Sequence, residues 1–578
     1  MSKLNVDQKT IFDLLADKKS DFLIPDYQRP YAWDEEQCQT LWDDIFTFSF
    51  PNDNYEEFDE NEEYFLGSIV TFKNDYGKLE VIDGQQRLTT LMLILRTFYD
   101  KFTHMNDQNS KLTREKIEKC IWKTDTFGTA DKSSLKIDSE VATDNDKGEF
   151  LELLRTGIIP ERSRSQYINN FKFFQTKIDE FLNNFPAFFA YLPARILGNC
   201  ILLPIEAESQ DTALRIFSTL NNRGLPLSDA DIFKAQFYKH YSDAGQKEWF
   251  IQEWRGLEDV TSKIFNPSSG SPMDELFTRY MYYLRAKEGN KKTTTESLRK
   301  FFERGKYKYL KDDSIIGNLK SLALFWENVA RQNKDVFSEI ILKKLFVLNY
   351  APNGMWQYIT SVYFLRNKNE NGMIDSDKFL IFLDKITAFI FAYAITNPGV
   401  NALRTPIYAE MIKIINGSDV SFSESKFSGA QARNFFENYK FTNLRPITRS
   451  LITWYAYTFE NQELLDINET FELEHIFSKK RQEMEQGLTN EASLESLGNK
   501  ILLEEKINIR ASDYRFEDKK KIYSGEMRRG RNRDSSKNTE IIEEIIKRNN
   551  FDERDIIQRS KTILNRFFEL LEKEKLIG

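Results

Sequence analysis

Cysteine and histidine are the scarcest chemically reactive residues in this chain, with three of each among 578 residues. Cys38, Cys120 and Cys200 lie far apart in the sequence and lack the close spacing of metal ligands. Isolated cysteines of this kind are typical of proteins in a reducing compartment. Chemistry that uses imidazole is confined to three positions, so each histidine can be assessed individually.

Other absences exclude further classes of protein. The N-terminus has no apolar signal core and we find no apolar run as long as a membrane span, so we expect a cytoplasmic protein with no membrane partner. No G-x-x-x-x-G-K-[ST] motif occurs, so any nucleotide site must use another scaffold. The net charge of -8 excludes a uniformly basic surface but is compatible with a local basic groove.

Apolar periodicity predicts an α+β multidomain protein that is predominantly α-helical. Strand-like runs at YFLGSIVTF, KLEVI and CILLPIEA fall in the N-terminal part. The middle of the chain is predicted almost wholly as helix, with aromatic stripes that we assign to a packed core. The C-terminal part has short strand-like runs and ends in a helix predicted from about Thr539 to Lys575. The predicted domains are 1–235, 236–445 and 446–578.

A polar stretch separates the predicted strand KLEVI from an apolar helix. Its residues are Asp83, Gly84, Gln85, Gln86 and Arg87. Backbone N–H groups at the start of a helix favour anions, and the arginine fork suits phosphate oxygens. A second Gln-Arg pair, Gln28 and Arg29, lies on a segment that prolines keep extended. The two pairs suggest a polar pocket, but an Asp-Gly turn with surface-facing amides is an equally good interpretation.

The C-terminal part contains the sequence ELEHIFSKK followed by LGNKILLEEKIN. Hydrolysis of a phosphodiester needs a base to activate water and a divalent ion held by oxygen ligands. His475 is the candidate base, Glu474 and Asn508 are candidate ligands for a hard cation, and Asn499 is a candidate brace for the loop. The alternative is a half-buried strand histidine with turn-forming asparagines.

A basic tract follows these residues, with eight lysines and arginines between Lys519 and Lys537. Local positive charge of this kind is what contacts to nucleic-acid phosphates require. The candidate DNA-binding residues are Lys519, Lys520, Arg528, Arg529 and Arg531. The alternative is a solvated basic loop.

Four motifs in the first 235 residues resemble the DUF262 family, which is related to ParB-like nucleotide-binding folds. They are IPDYQRPYAW, YFLGSIV, VIDGQQRLTTL and FSTLNNRGLPLSDADIFKA, in this order. The resemblance implies a ParB-like α/β domain in which residues 83–87 bind and hydrolyse a nucleoside triphosphate. It also implies phosphate or modified-DNA contacts for Gln28 and Arg29, with Asn221 and Arg223 as further contributors.

The pattern LEHIF, LGNKILL and a final asparagine resembles the HNH nuclease of the DUF1524 family, a ββα-metal domain. The resemblance implies that His475 is the general base, that Glu474 and Asn508 hold the metal, and that Asn499 supports the loop. It makes Lys519 a candidate for phosphate contact. The chain departs from the family pattern at Ser478, where the family usually has proline.

Together the two resemblances imply a GmrSD-like, type IV restriction enzyme of phage defence. We therefore predict an NTP-regulated, modification-dependent DNA endonuclease that uses Mg²⁺ or Mn²⁺ and GTP or ATP. Its expected partners are modified phage DNA, the nucleoside triphosphate and a second copy of the chain in a homodimer. The alternatives are an NTPase and nickase that senses phosphorothioate DNA, and a DNA-binding regulator whose HNH site has decayed.

Overall fold

The fold is described from a computed structural model, which covers residues 7–50, 61–141, 144–160, 163–210, 212–213, 216, 228–267, 270–292, 296–399, 402–526 and 533–578. The chain divides into two compact units, 1–255 and 256–578. Helix accounts for 59% of the structure, and a small mixed sheet lies near the N-terminus. The α+β, mostly helical class predicted from the sequence is thus confirmed at that level. The three predicted domain boundaries stay a prediction.

The N-terminal unit is organised around a six-stranded sheet in the order β1-β8-β3-β4-β2-β7, beside a separate β5–β6 pair. The strands are β1 (Lys9–Thr10), β2 (Phe22–Ile24), β3 (Tyr64–Lys73), β4 (Leu79–Asp83), β5 (Trp122–Thr124), β6 (Ala130–Leu135), β7 (Ile137–Ser139) and β8 (Cys200–Ala207). β4 is antiparallel to β3 and parallel to β2. β2 pairs with the beginning of β4 at Leu79 and Glu80, whereas the end of β4 at Asp83 pairs with β3 at Val70.

Helices surround this sheet, and the central helix α3 begins directly after β4. The helices are α1 (Ile11–Leu15), α2 (Glu35–Ser49), α3 (Gln85–Thr103), α4 (Gln108–Ile121), α5 (Lys147–Thr156), α6 (Gln166–Asn184), α7 (Tyr191–Gly198), α8 (Asp229–Asp243) and α9 (Lys247–Ile264), with a 3-10 turn at Pro186–Phe188. Every residue of α3 from Leu88 to Tyr99 is buried, so this helix is the core of the unit. α8 begins with the capping box that the sequence predicts, formed by Ser228 and Asp231.

The second unit is mostly helical, and its described residues include an antiparallel strand pair near the C-terminus, which we call the β9–β10 hairpin. Its helices are α10 (Pro272–Lys287), α11 (Leu298–Tyr307), α12 (Ile315–Ala330), α13 (Glu339–Asn349), α14 (Met355–Asn367), α15 (Ser376–Thr396), α16 (Arg404–Ile415), α17 (Gly429–Glu437), α18 (Pro446–Ala456), α19 (Lys479–Glu485), α20 (Glu505–Ala511), α21 (Phe516–Tyr523) and α22 (Glu553–Lys573). The hairpin strands are β9 (Phe471–His475) and β10 (Lys500–Glu504). Short 3-10 turns lie at Lys308–Lys311, Glu491–Glu495 and Leu497–Asn499, and a π-helical turn lies at Ile541–Ile545.

Helix α15 corrects one expectation from the sequence. Its 21 residues have the length and hydropathy of a membrane span, although we expected no such run. Within its most apolar stretch 61% of the residues are buried inside the protein. Phe379, Leu383 and Phe389 are fully buried among neighbouring helices, so the apolar character of α15 is explained by its place in a protein core.

The predicted C-terminal helix is also corrected. The sequence indicated one helix from about Thr539 to Lys575, but the structure has the π-helical turn, then a break, then α22. Asp552 explains the new start, because its carboxylate accepts hydrogen bonds from the N–H groups of Arg554 and Asp555 and forms a capping box.

Helix α22 packs so closely on the turn at Leu497–Asn499 that residue 498 must be glycine. A Cβ atom on Gly498 would lie 1.8 Å from the carbonyl oxygen of Ile556 and 2.6 Å from Oγ of Ser560. The Gly498 N–H donates to the same Ser560 Oγ at 2.8 Å. The turn that leads into β10 is therefore fixed by backbone-to-backbone packing.

We expect Gly498→Ala to destabilise the second unit by about 1–3 kcal/mol or more, because the backbone of α22 must move to make room. Gly317→Ala is the matched control, since Gly317 lies in α12 with nothing within 4 Å of an added Cβ. Alanine at this exposed helical position should be neutral or stabilise by about 0.5–1 kcal/mol. Thermal unfolding of both variants tests this, and equal melting temperatures would contradict the packing argument.

Candidate functional site

The polar stretch predicted between strand and helix lies at the junction of β4 and α3. Asp83 is the last residue of β4, and Gly84 caps the N-terminus of α3 with a φ of 87°. A Cβ on Gly84 would lie 2.9 Å from the carbonyl oxygen of Ser68, so only glycine fits this left-handed turn. The first N–H groups of α3 consequently begin at the end of β4, where an anion would be favoured.

The structure brings the two Gln-Arg pairs together. Gln28 is buried, and its Nε2 donates to the carbonyl oxygen of Ile82 at 3.1 Å. Gln86 accepts from the N–H of Ala32 at 2.7 Å and donates to the carbonyl oxygen of Pro30 at 3.1 Å. These amides thus join the extended 28–33 segment to the start of α3, and they do not face solvent as in a plain turn.

The remaining charged residues of this junction are half-buried and close together. Arg87 donates from Nη1 to the carbonyl oxygen of Ser68 at 2.9 Å, and burial lowers the pKa of its guanidinium while Asp83 opposes that shift. Burial raises the pKa of Asp83, and the Gly84 N–H, Arg87, Ser68 and Arg29 oppose the rise. The positive charges of Arg87 and Arg29 therefore favour the ionised form of the Asp83 carboxyl group.

Two polar atoms at this junction are buried without a hydrogen-bond partner in the described part of the chain. They are Nε of Arg29 and Oε1 of Gln85. Gln85 also donates weakly to the carbonyl oxygen of Arg29 at 3.4 Å. Buried polar groups are almost always hydrogen-bonded, so an unpaired donor on an arginine at a helix N-terminus fits a site for a phosphate group. Asn221 and Arg223, the further contributors implied by the resemblance, lie outside the described residues.

The C-terminal candidate residues lie on the β9–β10 hairpin and on α20, the helix that follows it. β9 and β10 are antiparallel, with His475 opposite Lys500 and Glu474 opposite Ile501. Asn499 is fully buried in the turn before β10. Its Oδ1 accepts from the N–H of Phe477 at 2.7 Å, and its Nδ2 donates to the carbonyl oxygens of Phe477 and Leu494, both at 3.0 Å. Asn499 makes the backbone contacts of a loop brace.

Glu474 faces the interior of the hairpin and is paired with Lys519. The Nζ of Lys519 lies 2.6 Å from Oε1 of Glu474 and 2.6 Å from the carbonyl oxygen of His475, and Tyr523 donates to the same carboxylate at 3.0 Å. Burial raises the pKa of Glu474 and lowers the pKa of Lys519, while each charge opposes the shift of the other. The Lys519 ammonium is enclosed, and it is not presented to a DNA backbone.

Asn508 on α20 is oriented by a residue that the sequence did not single out. Its Nδ2 donates to Oε2 of Glu472, which lies two residues before Glu474 on β9. Side chains at these spacings share a face of a strand, so Glu472, Glu474 and the helix bearing Asn508 meet on one side of the hairpin. Since Nδ2 is engaged, the amide oxygen is the atom of Asn508 that remains for a ligand.

His475, on the opposite face of β9, contacts residues that sequence reasoning also missed. Its Nε2 lies 2.7 Å from Nζ of Lys500 and 3.7 Å from Oε2 of Glu495. Burial lowers the pKa of His475, and the charge of Lys500 lowers it further, so the ring is neutral. Lys500 was visible in the LGNKILL motif, but no local pattern indicated that it would pair with the histidine.

Of the candidate DNA-binding residues in the basic tract, the structure describes Lys519 and Lys520 but not the three arginines. Lys520 is half-buried, with Nζ 2.8 Å from the carbonyl oxygen of Arg548 and 3.0 Å from Glu517, and Lys519 is the buried partner of Glu474. Arg528, Arg529 and Arg531 lie outside the described residues.

Other cations lie on or after α20 and α21. Arg510, Lys521 and Arg533 line a cavity of about 190 Å³ together with Tyr514 and the acidic residues Asp518 and Glu526. Cations beside an aromatic ring are the kind of surface that nucleic acid contacts. This surface was not singled out from the sequence, although Lys521 and Arg533 belong to the basic tract.

The donors on the hairpin fit a hard divalent cation by their chemistry. Glu474 and Glu472 offer carboxylate oxygens, and Asn508 offers an amide oxygen, which are the ligands that Mg²⁺ and Mn²⁺ prefer. Among the residues that the structure describes, no group of three or more His, Cys, Asp or Glu side chains is placed to hold a metal. The fit therefore rests on a mixed carboxylate and amide set.

Comparison with known proteins gives a family match for each of the two regions that contain the candidate sites. Residues 11–238 match the model of the GmrSD restriction endonuclease N-terminal domain, and residues 426–566 match that of the C-terminal domain of GmrSD restriction endonucleases. No curated protein matches the chain. The first match contains the β4–α3 junction, and the second contains the β9–β10 hairpin, α20 and the basic tract. The chain carries the two domains of a GmrSD restriction endonuclease in their N-to-C order and belongs to this family of type IV restriction enzymes.

Proposed function

We propose that the protein is an NTP-regulated, modification-dependent DNA endonuclease of phage defence that cleaves or nicks DNA at a metal-dependent HNH site. The observation that carries this proposal is the order and placement of β9, β10 and α20. This strand–strand–helix unit holds Glu474 and His475 on the first strand, Asn499 at the turn and Asn508 on the helix. This order supports the proposal of a ββα-metal nuclease.

Each side chain is assigned a role by its chemistry, with His475 and the proposed metal ligands on opposite faces of β9. His475 is neutral, as a general base must be before it removes a proton from water. Glu474 and Asn508 supply oxygen ligands, and Glu472 orients the Asn508 amide. Asn499 fixes the turn that joins the histidine to β10. A divalent ion bound there, Mg²⁺ or Mn²⁺, would neutralise charge on the scissile phosphate.

The N-terminal unit would bind GTP or ATP at the β4–α3 junction. Arg29 offers its unpaired Nε, Arg87 a second guanidinium, and α3 its N-terminal N–H groups to a phosphate. Asp83 lies beside both arginines as the acidic group of this site. Nucleotide turnover would gate access of DNA or assembly of the enzyme, since the candidate nuclease residues lie in the other compact unit.

DNA contacts would come from cations around the hairpin. Arg510, Lys521 and Arg533 are the described candidates, with Arg528, Arg529 and Arg531 in the same tract. We propose a cytoplasmic enzyme that acts on modified phage DNA. A homodimer would supply two nuclease sites, as cleavage of both strands requires.

A second candidate, a DNA-binding regulator without nuclease activity, is supported by one specific observation. The carboxylate of Glu474 is already paired with Lys519, and Ser478 replaces the proline usual in the family pattern. Metal binding at Glu474 would have to share this carboxylate with a buried ammonium group.

A panel of supercoiled plasmids separates these functions. The plasmids carry glucosylated cytosine, methylated cytosine, phosphorothioate or no modification, and each is incubated with Mg²⁺ or Mn²⁺, with and without GTP or ATP. We expect cleavage of one modified plasmid that depends on the divalent ion and is stimulated by a nucleotide. Selective nicking of the phosphorothioate plasmid would favour the phosphorothioate sensor. If every plasmid stays intact under all conditions, the regulator is the better description.

A further inference from the structure

A strongly basic segment lies in the second unit, between the two regions that the family models match. Residues 285–311 contain ten lysines and arginines and three glutamates, so the segment has a net charge of +7 in a chain with a net charge of -8. It runs from the end of α10 through α11 to the 3-10 turn at Lys308–Lys311. Positive charge is therefore concentrated in one region of an otherwise acidic protein.

The lysines of this segment are available to a partner. All seven are exposed, and none forms an ion pair with a carboxylate in the part of the chain that the structure describes. They are Lys287, Lys291, Lys292, Lys300, Lys306, Lys308 and Lys311. Two of the three glutamates, Glu288 and Glu296, pair instead with Arg304, at 3.3 and 2.6 Å. Directly after the segment, Asp312 accepts from the N–H and Oγ of Ser314 at 2.9 and 2.7 Å.

Side-chain contacts hold the pieces of this segment against one another. Glu288, directly after α10, accepts hydrogen bonds from Arg304 on α11 and from the hydroxyl of Tyr309 in the 3-10 turn. Arg285 is buried and donates to the carbonyl oxygen of Lys292 at 2.8 Å, which fixes the connection that follows α10. Lysines from these pieces therefore lie on one part of the surface, around Glu288 and Arg304.

The aromatic rings of this region support the lysines. Tyr309 stacks on buried Phe301, with ring centroids 5.3 Å apart and planes 3° from parallel, and Nζ of Lys308 lies 4.6 Å from the Tyr309 centroid. Nζ of Lys287 lies 5.6 Å from the ring centroid of Tyr283. Cations over ring faces are held by electrostatic attraction. Because the face of Tyr309 is already engaged, it is not a platform on which a nucleic-acid base stacks.

The region has the charge but not the apolar side chains of a membrane-binding segment. Segments that bind a lipid surface insert Trp, Phe or Leu side chains among the headgroups. No large apolar side chain of residues 283–292 or 296–311 is exposed, and Phe301, Phe302 and Leu310 are buried. A polyanion that is contacted through its phosphates fits this surface better than a bilayer does.

We propose that this surface, formed by residues 283–292 and 296–311, binds the phosphate backbone of duplex DNA without reading its bases. The proposal rests on the proposed endonuclease function, and it adds a second place at which the unit carrying the hairpin holds its substrate. Each lysine that meets a phosphate releases condensed counterions, so binding strengthens steeply as the salt concentration falls. Phosphate contacts position a protein on DNA and carry no sequence information. The surface therefore contributes equally to binding of modified and unmodified DNA.

The salt dependence of DNA binding by the full-length protein tests this surface. A labelled duplex is titrated in EDTA, which prevents metal-dependent cleavage, between about 50 and 200 mM salt. The double variants Lys291→Gln, Lys292→Gln and Lys306→Gln, Lys311→Gln remove lysines before and after the start of α11. Each should reduce the magnitude of the slope of log K against log salt by about 1–2, because one phosphate contact contributes about 0.9. The reduction should be the same for duplexes with and without glucosylated cytosine.

Lys334→Gln, Lys378→Gln is the matched control, since it removes the same charge from exposed positions of the same unit. Lys334 follows the C-terminal end of α12, whereas the basic segment ends before the start of this helix, whose 16 residues span about 24 Å. The control should keep the wild-type slope. Equal slopes in the wild type and both surface variants would overturn the proposal. So would unchanged DNA binding in variants that no longer bind phosphatidylserine vesicles.

Cleavage kinetics separate this proposal from the nuclease assignment. Replacing all four lysines should raise the KM for the cleaved plasmid at least about 4-fold with kcat nearly unchanged, because these contacts hold substrate and transition state alike. A fall in kcat at unchanged KM would overturn the surface. If the wild type cleaves no plasmid but the lysine-dependent salt slope is observed, the nuclease function fails and the DNA-binding surface stands. If the wild type binds no duplex, both fail.

Discussion

Replacing His475 by alanine should reduce DNA cleavage by about 10²–10⁴-fold while leaving NTP hydrolysis unchanged. The expected loss follows from the place of His475 as the neutral imidazole on the hairpin, beside the Glu474 carboxylate in sequence and opposite Lys500 in register. The nucleotide candidates, by contrast, lie at the β4–α3 junction of the other compact unit. Cleavage and phosphate release from the same preparation measure both activities.

His104→Ala is the matched control for this experiment. His104 is exposed at the C-terminal end of α3, and it belongs to none of the candidate sites. It should retain both activities. Equal loss of cleavage and hydrolysis in His475→Ala would count against two separate sites, and full cleavage would remove His475 as the base.

Replacing Arg559 by methionine should destabilise the second unit by about 3–5 kcal/mol, because it leaves the buried carboxylate of Glu540 without its ion-pair partner. Arg559 on α22 is 2% exposed and Glu540 is 0% exposed, and two N–H groups of the guanidinium lie 2.5 and 2.9 Å from the two carboxylate oxygens. The remaining Nη1 donates to the carbonyl oxygens of Leu497, Gly498 and Lys500. Arg559 thus holds the turn that contains Asn499.

Thermal unfolding of three variants tests this assignment. Arg554→Met, an exposed arginine on the same helix, should stay within about 0.5 kcal/mol of the wild type. The double variant Arg559→Met, Glu540→Met should recover part of the loss, because no unpaired charge remains buried. If Arg559→Met unfolds like Arg554→Met, the ion pair does not stabilise the turn.

Local features of the sequence predicted much of the fold correctly. The strands β3, β4 and β8, the start of α3 and the capping box at Ser228 were all visible as patterns within about ten residues. Such patterns depend on backbone preferences and side-chain alternation, which neighbouring residues alone determine. The family was likewise visible in short motifs, and the two domain matches confirm it.

Errors arose where a helix depended on its surroundings. The final helix was predicted as continuous, yet Asp552 caps a new start after a π-helical turn. The sequence predicts no run as long as a membrane span, yet the apolar stretch of α15 has that length, and its burial among other helices accounts for its composition. In both cases the local sequence pattern is compatible with more than one structure, and contacts with other parts of the protein determine which structure forms.

The sequence by itself determined the strands β3, β4 and β8, the start of α3, the family and the identity of the candidate residues. Only the tertiary structure decided which of them meet. Gln28 reaches Ile82, Lys519 pairs with Glu474, and Lys500 joins Asn443 to His475. These contacts span 25 to 57 residues of sequence, so they depend on how elements pack and on the pairing of buried charges and hydrogen-bond donors, which no short motif encodes.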